Sequence, residues 1–433
     1  MKIRSILLVI LVCAWLFSCR KEYVNPTGPT PEVLVKTQQG MVELVVGIKN
    51  RFAVNNLGNG SLFNAISANG FTTSEISLKA GGNQNFGQLS FGKNNVATTN
   101  TVLTELWSNC MQINYFSTLL IDNIQNAKDP AVAANIRRYA LLYKAMSIGT
   151  MAAYWEKIPI TTGKNPAFVD TSTALQAAIA MLDEASLIPE PVLPDPYPAT
   201  FGTEISLKNT LNALSARYNL MLGNYDQAIL KAKAVDWSSK SYFIFNGQNP
   251  NPLYRSGFTS TFGYTAKQKF GLTGSLLPDA KDTLREIFYT RPFPRPGSNA
   301  GFGFGKSDND AMPIYLVGEM MLILSESYAR KNDATNSKIW LDSVLTKKRS
   351  RDPFGIGAEL SAYQGPVDIP SLLVQIYKNR CIELFMSGLK LPDSRRFQRP
   401  GPNDPGSERS RNYYPIPLQE RNGNSSTPPD PTG

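Results

Sequence analysis

Apolar residues recur at helical spacing over most of this chain. In "TVLTELWSNCMQINYFSTLLIDNIQNA", Leu103, Leu106, Trp107, Cys110, Ile113, Leu120 and Ile124 fall three or four apart, which predicts an amphipathic helix. "AVAANIRRYALLYKAMSIGTMAAYWEKIP" does the same through Tyr139, Leu142, Tyr143, Met146, Gly149 and Ala153. Its small residues allow close helix approach, and the pattern stops at Pro159. A third helix is predicted from Thr173 to Ser186. The prolines of "LIPEPVLPDPYP" then forbid helix and predict an extended surface loop.

Two further stretches read as helical hairpins. In "SLKNTLNALSARYNLMLGNYDQAILKAKAVDW" the break falls at Gly223-Asn224, with Leu211, Leu214, Tyr218, Tyr225, Ala228 and Ala232 expected to face one another. The "GNYDQA" turn is similar to that of a tetratricopeptide hairpin, where the small Ala228 lets the second helix pack closely. "GEMMLILSESYARKNDATNSKIWLDSVL" repeats the plan, with Ser337, Leu341 and Val344 in the equivalent places. The expected fold is therefore all-α: tetratricopeptide-like helical hairpins forming one body.

Residues 236–310 break this pattern. They are rich in Gly, Pro, Asn, Ser and aromatics, and read as a loop-rich excursion from the body. A second irregular stretch, "NGFTTSEISLKAGGNQNFGQLSFGKNNVATTN", precedes the Trp107 helix, and "NGNSSTPPDPTG" reads as a disordered C-terminal tail.

The N-terminus is of another kind. A basic start (Lys2, Arg4) and an apolar core from Ile6 to Phe17, too short to span a bilayer, make residues 1–18 an export signal. Leu16, Phe17 and Ser18 lead into Cys19, which resembles a bacterial lipobox; a plain signal peptide with an incidental cysteine is the alternative. In the lipobox reading Cys19 is the acylated first residue of the mature protein, held at a membrane by its lipid, and 19–32, containing "VNPTGPTP", is a flexible tether. Residues 33–433 then form a single helical domain.

Composition removes several chemistries. There is no histidine among the 433 residues, so His-dependent triads, His-ligated zinc and imidazole acid–base catalysis are excluded. Of four cysteines, Cys13 lies in the signal and Cys19 carries the lipid, leaving Cys110 and Cys381 in apolar helical contexts that favour buried thiols over a disulfide. The net charge of +10 is scattered without a dense Lys/Arg run. That argues against nucleic acid and hints only at acidic substrates.

In chain order, several short motifs resemble those of the SusD/RagB family of surface lipoproteins. They are Trp107, Tyr115 (at a shifted spacing), Ile121 and Asn123; "YWEKIP"; "MLDEASLIP"; "DTLR" at Asp282–Arg285; "PIYLVGEMMLILSES"; "NRCIELFMSGLKLPDSRR"; and "YYPIPLQERNGN". Leu316 stands where the family usually has Arg, and Asn379 and Ser387 where it has Glu. The resemblance implies a SusD-like fold, an outer-membrane and cell-surface location, and no enzyme activity, cofactor or metal. It further implies capture of nutrient oligomers, oligosaccharide or polysaccharide or alternatively peptide, for a SusC-like TonB-dependent barrel partner.

Glu383, Asp393, Arg395 and Arg396 carry mixed charge at a helix end, which reads as an ion-pair network before it reads as a catalytic pair. Adjacent Asp183 and Glu184 point different ways from one helix. A sugar needs exposed aromatic platforms beside polar hydrogen bonders. The candidates are Glu75, Phe86 and Phe91 from the first irregular stretch, and Tyr254, Arg255, Phe262 and Tyr264 from the excursion, with aromatic staples onto the body as the competing reading. The rival function is a lipoprotein helical-repeat scaffold that binds proteins during envelope assembly.

Overall fold

The computed structural model describes residues 28–54, 60–79, 82–261, 263–290 and 303–431. The export signal and Cys19 lie outside them. Sixteen α-helices are numbered in chain order: α1 Pro31–Leu34, α2 Gln38–Ala53, α3 Ser61–Thr72, α4 Gln84–Phe91, α5 Thr101–Asp122, α6 Pro130–Tyr154, α7 Thr171–Leu187, α8 Tyr197–Phe201, α9 Leu207–Leu222, α10 Tyr225–Lys233, α11 Thr283–Tyr289, α12 Val317–Arg330, α13 Ala334–Leu345, α14 Ile369–Glu383, α15 Lys390–Arg396 and α16 Leu418–Gly423. Successive long helices pack on one another from α5 through α6, α7, α9, α10, α12 and α13 to α14, while α2 and α3 cover α5 and α6. Among the described residues there are three short antiparallel pairs: β1 (Ile76–Leu78) with β5 (Tyr264–Ala266), β2 (Lys157–Pro159) with β3 (Phe168–Asp170), and β4 (Tyr242–Phe243) with β6 (Met312–Pro313).

The helix starts follow local chemistry. Asn100 accepts from Val102 N and Leu103 N at the head of α5, Asp129 from Ala131 N at the head of α6, and Asp170 from Thr173 N at the head of α7. Each satisfies backbone donors that the first turn leaves open. The α9–α10 turn closes through Gly223 at φ 81°, a left-handed position that glycine occupies without strain. On α6, a Cβ at Gly149 would meet the Tyr218 ring of α9 at 2.2 Å, so the small residue sets that contact.

The hairpin expectation holds with one difference. Leu211, Leu214 and Tyr218 of α9 join the large core, whereas Ala228 and Ala232 of α10 pack with Ala213, Ala216 and Leu220 in a second cluster. Helix α9 is thus buried on two sides, because α7 and α10 cover opposite faces. Ser337, Leu341 and Val344 of α13 are fully buried, as the repeat predicted.

Four boundaries differ from expectation. Helix α6 ends at Tyr154, because 157–159 pairs as a strand with β3. The proline-rich loop contains the short helix α8, with Pro198 in a first turn that needs no N–H from it. The last tether residues form α1, whose Glu32 accepts from the Tyr115 hydroxyl of α5 at 2.6 Å. The C-terminal segment is placed rather than a free tail: Ile416 N donates to Asp430, Arg421 pairs with the same carboxylate, and Asn424 Nδ2 donates to Pro166 O.

The charged C-terminal motif is an internal network. Arg285 donates to Asp282 at 2.9 Å and to Glu383 at 3.2 Å, and Lys347 bridges Glu383 and Asp352. Arg380 reaches Asp393 at 2.7 Å, and Arg396 joins Asp393 and Glu326, each at 2.8 Å. Arg217 of α9 holds Glu319 of α12 through two hydrogen bonds. Asn379 accepts from Arg285 at 3.0 Å, while Leu316 is buried in the core, so apolar packing stands where the resemblance led one to expect an arginine.

Burial alone would raise the pKa of Glu383 and of Asp393, but Lys347 and Arg285 around the one, and Arg380 and Arg396 around the other, hold both below their ordinary values. Their stabilisation is complete above those ordinary values of 4.5 and 3.8 and is lost as pH falls through the lowered ones. Glu75 runs the other way: burial, only partly offset by Lys390, raises its pKa, so its protonation favours the native state as pH falls through that raised value. The urea midpoint is therefore expected to fall steeply below about pH 4. Glu383→Gln should flatten that acid limb at the cost of a lower midpoint at pH 7, and an unchanged acid limb in the variant would contradict the assignment.

Candidate functional site

The β1–β5 ribbon joins the two irregular stretches. Ile76 pairs with Ala266 and Leu78 with Tyr264, so one end of the ribbon leads to the 251–261 loop and the other to Ser74 and Lys267. Beneath it, the Tyr264 ring meets Phe258 (5.2 Å between centroids), Phe71 (5.7 Å), Phe86 (5.9 Å) and Phe63 (6.2 Å). Phe86 and Tyr264, candidates on sequence, are therefore core residues that fasten the loops to α3. They are enclosed by other rings and offer a ligand no surface.

Glu75 is also inside, at 1% exposure. It accepts from Asn69 Nδ2 at 2.5 Å and from Met386 N at 3.1 Å, and so ties β1 to the turn after α14. A carboxylate enclosed in this way is a structural acceptor, not a ligand contact. Phe262 lies outside the described residues.

The remaining candidates reach solvent. Phe91, the last residue of α4, is 74% exposed. Tyr254 is half-buried in a π-helical turn, 253–258, and Arg255 on the same turn is exposed. Arg255 donates to Asp308 at 2.9 Å, and that carboxylate raises its pKa. Among the described residues no ring contact or hydrogen bond joins Phe91 to Tyr254 or Arg255, so the structure gives two patches, one at the end of α4 and one on the 253–258 turn. No described tryptophan offers a platform: Trp107 packs on Trp155, and Trp237 on Trp340.

The residue that organises the loop is one that sequence reading passed over. Asn251, fully buried, donates through Nδ2 to Phe304 O and Asp310 O, both at 2.7 Å, and accepts at Oδ1 from Leu253 N and Tyr254 N. All four partners are backbone groups, which leave no pattern in the sequence. Asp308 likewise lies more than fifty positions from Arg255. Lys79, at the end of β1, donates to Ser260 O at 3.0 Å and to Phe258 O, closing the same loop from the other strand.

Elsewhere, a cavity of about 110 Å³ lies between α2, α6, α9 and the β4–β6 pair, lined by Phe52, Met146, Tyr218, Phe243, Met312 and Phe385 among others. It is smaller than the roughly 300 Å³ at which ligand pockets begin. A cleft of about 400 Å³ opens at the Ser74–Lys267 end of the ribbon. Cys110 and Cys381 are separate buried thiols, each pushed up to about 12 by burial. Among the described residues no cluster of acidic and thiol side chains is arranged to hold a metal, and no helix is long and apolar enough to cross a membrane. The carboxylates of the C-terminal motif, Glu383 and Asp393, are consumed in buried ion pairs.

Helical body, ribbon and excursion together match solved structures along nearly their whole length. A SusD superfamily protein from Bacteroides vulgatus aligns with a TM-score of 0.65 at 13% identity, covering 92% of this chain and 99% of that one. The chain has a SusD-like fold. A SusD-like carbohydrate binding protein from Bacteroides fragilis matches at TM-score 0.66 and 14% identity, over 91% and 99% of the two chains. A putative sugar binding protein from Bacteroides vulgatus matches at 0.68 and 14%, over 91% and 98%. No family model and no curated protein matches the sequence. In this SusD-like chain the excursion 236–310 leaves the helical body between α10 and α12, and Asn251 clamps its two halves together.

Asn251→Ala removes four hydrogen bonds at a buried position. A loss of about 2–4 kcal/mol is expected, from roughly 1 kcal/mol per bond. Limited proteolysis should then cut within 251–310 before it cuts the helical body; equal resistance of the wild type and the variant would show that the clamp is not what holds the loop.

Proposed function

We propose that this protein captures nutrient oligomers, glycans foremost, and hands them to a SusC-like TonB-dependent barrel while its acylated Cys19 anchors it to the outer membrane, exposed at the cell surface. The observation that carries the reading is the near-full-length match to solved SusD-like structures, two of them described as carbohydrate or sugar binding proteins. The geometry of the loop face agrees with non-covalent capture. An exposed aromatic at the end of α4 (Phe91), a half-buried one (Tyr254) and a fixed ion pair with spare acceptor and donor positions (Arg255 and Asp308) sit on segments fastened to the helical body. A sugar ring buries its apolar face against the aromatic and gives its hydroxyls to the charged pair. The buried, paired state of Glu383 and Asp393 removes the carboxylate pair that a hydrolase reading would have used.

Phe91→Ala removes an exposed ring and Tyr254→Ala a half-buried one, neither of them part of the Tyr264 cluster. Each is expected to weaken glycan binding by about 1 kcal/mol, roughly fivefold, with the urea midpoint unchanged. Affinity electrophoresis against a panel of plant and host polysaccharides, with peptides as the comparison, measures this; binding of peptides alone would move the ligand class. Detergent extraction of native outer membranes should recover the protein with a barrel, and Cys19→Ser should leave it unanchored. Co-purification with soluble envelope proteins in place of a barrel would favour the scaffold.

A further inference from the structure

The cleft at the far end of the ribbon is built differently from the loop face. It measures about 400 Å³ and is lined by Ser74, Lys267, Gln268, Thr273, Lys390 and Ser407 among others. Lys390, the first residue of α15, is only 5% exposed, and Lys267, next to the end of β5, is partly buried. Neither ammonium is hydrogen-bonded or ion-paired among the described residues, whereas the buried Arg285 and Lys347 are held by carboxylates.

The acids nearby do not serve the two lysines. Glu75 lies behind Lys390 and feels its charge, but spends its oxygens on Asn69, Thr73 and Met386 N. Glu408, on the cleft wall, accepts from the Tyr377 hydroxyl and from Arg399. The ammonium groups are close enough to act on each other: burial first, and Lys390 second, lower the pKa of Lys267.

Lys390 and Lys267 line the same cleft, and two like charges on one wall repel each other. That repulsion is relieved by one anion between them, through charge-assisted hydrogen bonds. Ser74, Gln268 and Thr273, whose side chains make no hydrogen bond among the described residues, add neutral donors and acceptors around the same space. The volume falls in the range of small-ligand pockets, above what a bare inorganic anion fills.

We infer that this cleft is a second binding site, distinct from the exposed loop face, that takes an acidic sugar unit with its carboxylate between Lys390 and Lys267 and its hydroxyls on the Ser74–Gln268–Thr273 rim. The inference stands apart from glycan capture at Phe91 and Tyr254, and the two fail separately.

The test is calorimetric titration of the intact protein with glucuronate and galacturonate, with glucose as the neutral counterpart and inorganic sulfate as the anion without a ring. The uronates are expected to bind, glucose not to bind detectably, and sulfate to bind at least tenfold more weakly. Lys390→Met and Lys267→Met should each weaken uronate binding at least tenfold while leaving binding of neutral polysaccharide at the loop face unchanged. Because Lys390 makes no hydrogen bond or ion pair among the described residues, Lys390→Met should leave the urea midpoint unchanged or raise it, whereas a merely structural lysine would lower it. Uronate binding no tighter than glucose or sulfate, uronate binding that survives both substitutions, or a clear drop in the Lys390→Met midpoint would each overturn the assignment. Phe91→Ala and Tyr254→Ala report on the loop face and should leave uronate binding intact.

Discussion

A carboxylate withdrawn from water has to be matched by a cation, and in this protein that requirement joins parts of the chain that are remote in sequence. Glu383 sits at the end of α14 with no exposure, and its two partners come from far away: Arg285 from the excursion and Lys347 from the turn after α13. Asp393 and Glu326 share Arg380 and Arg396 in the same way and bind α12, α14 and α15 to one another. Breaking one partner of such a pair leaves a buried charge unpaired, which is far more costly than never having buried the pair. The network therefore fixes the base of the excursion relative to the helices.

From that base the loop face is assembled by two further devices. Aromatic packing around Tyr264 holds the ribbon on α3, and the Asn251 side chain, with Lys79, ties the 251–261 loop across to 304–310 and to β1. Phe91 at the end of α4, and Tyr254 and Arg255 on the 253–258 turn, are thus carried by backbone that is anchored on both sides. A surface fixed in this way loses less conformational freedom on binding than a mobile loop does. The two ends of the ribbon differ in chemistry: aromatic rings and a satisfied ion pair at one, unsatisfied ammonium groups at the other.

The helical body was open to reading because its signals are local. Apolar spacing of three and four and the Gly223 turn depend on a few neighbouring residues and appear where the pattern put them, and the side-chain caps that the structure shows at Asn100, Asp129 and Asp170 are equally local. The charges of Glu383, Asp393 and Arg396 were likewise readable as ion pairs from composition and context, whereas Arg395, read with them, donates instead to the backbone carbonyls of Asn412 and Ala153. The loop face was less legible. Of the candidates there, composition singled out Phe86, Phe91 and Tyr264 alike, and only burial separates the first and third, which face the core, from the second, which faces water.

What the sequence determined by itself was the all-α class, the hairpin repeat, the absence of imidazole chemistry and the presence of an aromatic excursion, since these follow from residue type and short-range spacing. The tertiary structure decided which polar groups are satisfied and which are left open. Glu75 is consumed inside, Asp308 is brought to Arg255, Asn251 finds four backbone partners, and Lys390 makes no hydrogen bond among the described residues. The physical reason is that hydrogen bonding and desolvation depend on contacts between residues remote in the chain. Those contacts are set by how the helices stack and by where the excursion returns to them.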